Sequence, residues 1–81
     1  MRLPRNLSGR ALARTLQRYG YSVTREAGSH MRLTTQRGGE HHVTIPDHAS
    51  LRIGTLGSIL NEVATHLNVE RTLLISELFD M

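Results

Sequence analysis

The sequence predicts an α+β fold, with three antiparallel strands in one sheet and helices covering one face of it. Two amphipathic helical patterns flank the middle of the chain. Between them lie three short segments in which apolar and polar residues alternate, as in half-buried strands. Short glycine-containing turns separate these segments, and such turns join antiparallel neighbours. A short C-terminal helix completes the prediction.

The first helix is predicted to begin after Ser8 and to end at Gly20. Ser8 is a good N-cap, because its hydroxyl can accept from the first free amides. Gly20 can adopt the left-handed conformation that ends many helices. Arg10, Arg14 and Arg18 recur four residues apart and form one charged stripe. Such a stripe is usually a solvated helix face, and phosphate contact is the alternative.

The first predicted strand is Tyr21–Ala27. Its alternation places Val23 and Arg25 on one face and Glu26 on the other. Gly28-Ser29 follows as a hairpin turn, because glycine readily adopts the backbone angles that such turns need.

The second strand begins at His30, where the alternation resumes. Met31 and Leu33 should face the core, so His30 and Arg32 should share the opposite, open face. After a turn over residues 37–40, the third strand is His41–Ile45, with its even-numbered residues outward.

The second helix is predicted to begin at Thr55, as its N-cap, and to run to Leu67 with the clearest amphipathic pattern in the chain. Asn68 should end this helix and cap a third one over residues 69–79.

The length of 81 residues predicts a single domain, 1–81, with a small core. The absence of cysteine excludes disulfides and thiolate metal sites. The first residues lack the apolar run of a secretory signal, and no stretch is long enough to span a membrane. We therefore expect a cytoplasmic protein without membrane contact.

The charge is unevenly distributed along the chain. All ten basic residues are arginines, and eight of them fall in residues 1–37 beside a single acid, Glu26. Residues 62–81 hold one arginine against four acids. A basic front of this kind is typical of proteins that bind nucleic acid, although exclusive use of arginine also occurs in GC-rich genomes.

The residues around His30 suggest chemistry on RNA. RNA can be cut without a metal because its 2′-hydroxyl is an internal nucleophile. The reaction needs groups that move protons and positive charge for the transition state. Histidine supplies the first and arginine the second. A histidine that is only a polar strand residue is the simpler alternative.

A metal site is disfavoured by the ligands available. His41 and His42 are adjacent in a strand and point to opposite faces. His42 and His48 could share an ion, but a zinc site normally needs three protein ligands. We expect no metal and no cofactor.

Four segments, in order, resemble the HicA family of toxins from type II toxin–antitoxin systems. They are Leu7-Ser8-Gly9-Arg10, Gly20-Tyr21 with Arg25–His30, Val43–His48, and Gly54–Leu60. Each segment alone is weakly specific, and together, at this spacing, they are specific.

This resemblance implies a double-stranded-RNA-binding-domain-like (dsRBD-like) fold of order α-β-β-β-α. It implies an mRNA endoribonuclease that arrests growth and is neutralised by a HicB-type antitoxin protein. The family's catalytic histidine falls on His30. Two positions depart from the family pattern: Met31 stands where many members have a second histidine, and Gly57 where many have a basic residue.

On this interpretation His30 is the catalytic acid or base. The residues expected to bind substrate or phosphate around it are Gly28, Ser29, Arg25, Arg32, Arg37 and His48. Gly28 permits the turn and Ser29 orients the phosphate, while His48 is a candidate second proton-transfer group.

Two other functions remain open from the sequence. The first is an RNA-binding module of the same fold without catalysis. The second is an interaction protein whose third helix pairs with another chain.

Overall fold

The computed structural model describes residues 3–79, which form three helices and one three-stranded sheet. The elements in chain order are α1 (Gly9–Leu16), continued by a 3₁₀ turn (Gln17–Tyr19), β1 (Ser22–Ala27), β2 (His30–Thr35), β3 (His41–Pro46), α2 (Ile53–Leu67) and α3 (Arg71–Phe79). The predicted α+β class is confirmed.

The sheet is fully antiparallel, in the order β1-β2-β3. β2 is therefore the central strand, and hydrogen bonds hold it on both sides. The predicted α-β-β-β-α order, with one more helix at the end, is confirmed.

One face of the sheet packs against the helices. β2 contributes Met31 and Leu33 to this core, and β3 contributes Val43 and Ile45, all of them buried as predicted. From the helices come Leu12, Leu16, Leu56, Leu60, Val63 and Leu74. The other face carries exposed or half-exposed side chains, and no other element within residues 3–79 packs over it. We call it the open face.

The start of α1 follows the prediction, and its end follows it only in part. The Ser8 hydroxyl accepts from the amide of Ala11 at 3.0 Å, which caps the helix. The α-helix ends at Leu16, earlier than predicted, with Gln17 as its C-cap. The 3₁₀ turn continues it to Gly20, which adopts the expected left-handed conformation with a φ of 83°.

The prediction that Thr55 caps α2 is wrong. The helix begins at Ile53 with the extended Arg52 as N-cap, and no side chain caps it. Burial of Leu56, whose amide donates to the Arg52 carbonyl at 2.9 Å, holds the first turn without a polar cap. Asn68 ends α2 with a φ of 55°, as expected.

The prediction that Asn68 also caps the third helix is wrong as well. α3 begins at Arg71, and its first turn is closed by the Leu74 amide, which donates to the Glu70 carbonyl at 3.0 Å. Val69 packs against the core instead of lying in the helix.

β1 is more exposed than predicted. Tyr21 is buried just before the strand, but all six strand residues are exposed, and Val23 retains 42% of its accessible surface. β1 lies at the edge of the sheet, and the element that packs most closely on its core side within residues 3–79 is α1. The expectation of a half-buried strand is therefore wrong for this element.

The start of α1 touches the end of β3. A Cβ built on Gly9 would lie 2.0 Å from the carbonyl oxygen of Pro46, and the Gly9 amide donates to the His48 carbonyl at 2.9 Å. Only glycine allows the two backbones to approach this closely.

We predict that Gly9→Ala destabilises the protein by about 1–3 kcal/mol, the usual cost of forcing atoms into a packed contact. Gly57→Ala is the matched control. Its Cβ would meet the flexible end of Arg71, at 3.4 Å, and the Leu3 side chain at an ordinary contact distance of 3.8 Å. There alanine should stabilise α2 by about 0.5–1 kcal/mol. Urea unfolding of both variants measures the difference, and equal stabilities would contradict the close approach.

A histidine pair lies on the core side of β3. His41 and His66 stack with ring centroids 4.3 Å apart, and the Tyr21 hydroxyl lies 2.8 Å from His41 Nδ1. Burial raises the pKa of Tyr21 to about 12, so its hydroxyl stays protonated. Burial, and then repulsion by His66, lower the pKa of His41.

This depressed pKa predicts a loss of stability in acid. The unfolded chain binds a proton at His41 near the ordinary value of about 6.5, before the folded state does. The contribution of His41 to the free energy of unfolding is therefore fully present above that pH. It is lost as the pH falls through the lower pKa of the folded state. Melting temperatures between pH 7.5 and 5 should fall less steeply in His41→Gln than in the wild type. Parallel curves for the two proteins would show that His41 does not cause the loss of stability in acid.

Candidate functional site

The corner between β1 and β2 is a two-residue hairpin. Ala27 pairs with His30, and Gly28 and Ser29 form the turn between them. Gly28 has a φ of 59° whereas Ser29 does not have a positive φ, a pattern typical of a type II′ turn. The predicted turn is present, and it makes His30 the first residue of the central strand.

His30 is exposed at this corner. It pairs with Ala27 on one side and with Pro46 on the other, and it alternates with the buried Met31. Within residues 3–79 its imidazole makes no hydrogen bond or ion pair. The predicted placement on the open face is confirmed, and the ring is free to contact a ligand.

Arg32 and Arg25 lie beside it on the same face. They are directly opposite each other in the β1–β2 ladder, and both are exposed. Cross-strand partners share one face of a sheet, so Arg25 faces the same way as Arg32. The prediction that Arg25 lies with Val23 on the other face is therefore wrong.

A β-bulge between Val23 and Arg25 is the reason. Val23 pairs with Leu33 but Arg25 pairs with Arg32, so Thr24 is an extra residue in β1. In a regular ladder Arg25 would face the helices and Glu26 would lie opposite His30. The bulge exchanges them, which brings a positive charge to the open face and removes a negative one.

Glu26 instead faces α1, where it meets Arg10. One guanidinium nitrogen of Arg10 lies 2.9 Å from the Glu26 carboxylate and 2.9 Å from that of Asp47. Hydrogen bonding to Asp47, together with the charges of Asp47 and Glu26, raises the pKa of Arg10. Arg10 thereby ties α1 to the end of β1 and to the segment after β3.

Backbone hydrogen bonds close the same corner. The Asp47 amide donates to the Ser29 carbonyl at 2.7 Å, and His48 holds the first residue of α1 through its carbonyl. His48 therefore lies at the same end of the sheet as His30, and its side chain is exposed.

Arg37 lies elsewhere. It belongs to the turn after β2, and its guanidinium sits 5.1 Å above the Tyr19 ring. At about 3.3 Å per residue, the length of β2 separates that turn from His30 by roughly 17 Å. Of the predicted arginines, the structure brings Arg25 and Arg32 to the corner but not Arg37.

A polar chain on the open face was not predicted. His42 Nε2 lies 2.9 Å from the Glu40 carboxylate, and Nδ1 lies 2.7 Å from the Thr34 hydroxyl. The Thr34 hydroxyl lies 2.8 Å from that of Thr24, which donates to the Arg32 carbonyl at 3.3 Å. Alternation does predict His42 on this face, but its partners depend on the register between strands.

Two other features lie outside this corner. An open groove of about 420 Å³ beside α2 is lined by His41, Asn61, Glu62, Thr65 and His66, none of which was predicted to bind substrate. His41 and His42 do point to opposite faces, as expected. In the part of the chain from 3 to 79, no three histidines or carboxylates are grouped to hold a metal.

Comparison with protein families gives a match that covers most of the described chain. Residues 9–64 match the family model described as the HicA toxin of bacterial toxin–antitoxin systems, which is more than half of the 81 residues. The chain belongs to the HicA toxin family. Comparison with curated proteins and with solved structures finds no match.

The family match contains the whole corner. His30, Arg25, Arg32 and His48 all fall within residues 9–64, whereas α3 lies beyond them. The resemblance stated from the sequence is confirmed. Among the described helices of this HicA protein, none is long and apolar enough to cross a membrane.

We predict that Arg10→Ala destabilises the corner between β1 and β2. The variant loses both ion pairs, so the melting temperature should fall and the Asp47 amide should exchange its hydrogen faster. Arg14→Ala is the control, because Arg14 lies one turn further along α1 and has no ion pair within residues 3–79. Hydrogen exchange followed by NMR measures the effect at Asp47. Equal exchange rates of the Asp47 amide in the two variants would show that Arg10 does not hold the segment after β3 against α1.

Proposed function

We propose that this HicA-family protein is a metal-independent endoribonuclease that cleaves mRNA and thereby arrests growth. The observation that carries the proposal is the imidazole of His30, which makes no hydrogen bond or ion pair within residues 3–79 and is exposed at the β1–β2 corner beside two arginines. The family match supports the same assignment. A cytoplasmic location follows from the proposed substrate.

The proposed reaction uses the substrate's own nucleophile. The 2′-oxygen of a ribose attacks the adjacent phosphorus, and the bond from phosphorus to the 5′-oxygen breaks. His30 either takes the proton of the 2′-hydroxyl or gives one to the leaving 5′-oxygen. The products are a 2′,3′-cyclic phosphate and a 5′-hydroxyl, and no metal is needed to generate the nucleophile.

Neighbouring groups have distinct proposed roles. Arg25 and Arg32 supply positive charge where the transition state gains negative charge. The Ser29 hydroxyl orients the phosphate, and Gly28 permits the turn that presents it. His48 is the candidate for the second proton-transfer group, because its backbone lies at the same end of the sheet.

A HicB-type antitoxin is the proposed protein partner. An inhibitor of this reaction has to cover His30, and the surface around His30 is positively charged. We therefore expect acidic side chains on the antitoxin surface that docks there. Bound in this way, the antitoxin excludes RNA by occupying the same face.

We predict that the purified protein cleaves a long mRNA in excess EDTA and that His30→Ala does not. His30→Ala should keep the wild-type stability to within about 0.5 kcal/mol, because an exposed strand residue adds little to the core. His48→Ala should lower the rate by less than His30→Ala does. A cleavage gel, with melting curves for each protein, measures these effects.

The product ends provide an independent check. The 5′-hydroxyl ends should accept a labelled phosphate from a polynucleotide kinase without prior phosphatase treatment. RNA that binds without being cut by the wild type would leave the non-catalytic binding module as the function. Unfolding of His30→Ala would contradict the exposed placement of the histidine.

A further inference from the structure

The open face offers more than the corner at His30. Along the central strand, His30, Arg32 and Thr34 follow one another on this face. Alternate residues of a strand are about 7 Å apart. Arg25 and Thr44 flank Arg32, and the neighbours of Thr34 include His42. The face thus presents three successive rows of polar groups that begin at His30.

The middle row holds two like charges without a counter-ion. Arg25 and Arg32 are direct cross-strand partners, and within residues 3–79 neither makes an ion pair. Like charges placed directly opposite each other destabilise a sheet. The acid nearest in sequence, Glu26, is turned to the other face and bound by Arg10. An anion lying between the two guanidiniums would relieve this repulsion.

The third row is already ordered. His42 is held between Glu40 and Thr34, and the Thr34 hydroxyl is held in turn by Thr24. Both ring nitrogens of His42 are engaged, so this row meets RNA through the spare lone pairs of the threonine hydroxyls, which can accept from a ribose 2′-hydroxyl. His42 holds the Thr34 hydroxyl in place, so this contact costs little side-chain freedom. The Glu40 carboxylate lies at the end of the row and would repel a phosphate.

The arginines on the helix side are mostly engaged. Arg10 is bound by two carboxylates, Arg18 donates to the Glu77 carbonyl, and Arg37 lies over the Tyr19 ring. Of the stripe on α1, only Arg14 lacks such a partner within the described residues. The helix side therefore has less free positive charge to offer a duplex than its sequence suggests.

The open face also lacks aromatic side chains. Tyr19 and Tyr21 are buried, and Phe79 packs against the core. Proteins that hold single strands through their bases use aromatic platforms. Recognition on this face has to fall on the sugar and phosphate backbone, which is what arginine, histidine and threonine side chains can bond.

We propose that the open face is a binding track for the backbone of single-stranded RNA. The strand runs from His30, between Arg25 and Arg32, to His42, and the track ends at Glu40. The proposal rests on the proposed function, since it assigns the rest of the substrate-binding surface of the same site. It commits to a single strand held on the sheet instead of a duplex held by the helices.

The test separates binding from cleavage. Fluorescence anisotropy would measure the binding of labelled RNA oligonucleotides of two and eight nucleotides to full-length His30→Ala protein. Arg25→Ala or Arg32→Ala, each added to this background, should weaken octanucleotide binding roughly tenfold or more, as for the loss of one charged hydrogen bond. Each should also reduce the slope of log affinity against log salt by about one.

The end of the track has its own readout. His42→Ala should weaken binding of the octanucleotide severalfold and leave the dinucleotide unchanged, because only the longer strand reaches the third row. Glu40→Gln should tighten octanucleotide binding. Arg14→Ala, the matched control on α1, should change neither affinity.

Several results would overturn the track. One is a loss of octanucleotide affinity in Arg14→Ala equal to that in Arg32→Ala. The others are tighter binding of a duplex than of the octanucleotide, and no binding of any oligonucleotide. If poly-glutamate bound as tightly as the octanucleotide, the open face would be assigned to an acidic protein partner instead. Binding that follows the expected pattern in a protein that never cuts RNA would leave the track standing and overturn the nuclease.

Discussion

One-sided burial of the central strand determines where the reactive groups lie. Met31 and Leu33 are fully buried, and side chains along a strand alternate between faces, so His30 and Arg32 must face away from the helices. A slip of one residue would bury the histidine and expose the methionine, at the cost of the whole core contact. The hydrophobic core therefore fixes the direction of the imidazole, although no core residue touches it.

A second constraint sorts the charges between the two faces. The bulge at Thr24 moves Arg25 to the open face and sends Glu26 to Arg10. The same Arg10 binds Asp47, so a single guanidinium holds both sides of the corner. The local irregularity of β1 thus performs two tasks together: it charges the face around His30 and it ties the turn to α1.

Much of the fold could be predicted because it follows from simple periodicities. The strand alternation identified the buried residues of β2 and β3. Ser8 marked the start of α1, and Gly20 marked the end of the 3₁₀ turn that continues it. The start of α2 could not be predicted from a cap, because burial of Leu56 holds its first turn without one. Local preference for a cap is worth about 1 kcal/mol, and burial of a leucine exceeds it.

The candidate site could be predicted only in part. His30 and Arg32 followed from alternation along one strand. Arg25 did not, because β1 contains no glycine or proline that would reveal a bulge. The partners of Arg10 and His42 are distant in sequence and meet through the register of the sheet. One signal was present: Glu26 is the only acid among the first 37 residues, and an isolated acid among arginines usually has a partner.

The basic character of the open face is a product of folding more than of composition. The chain has a net charge of only +3, and its acidic C-terminal part brings Glu77 to the helix side, where Tyr19 donates to it. Asp47 and Glu26 are likewise bound by Arg10 on α1. Because these acids are engaged away from the sheet's free side, the arginines that remain there are neutralised little. Folding thereby leaves Arg25 and Arg32, which make no ion pair within residues 3–79, side by side on the surface that presents His30.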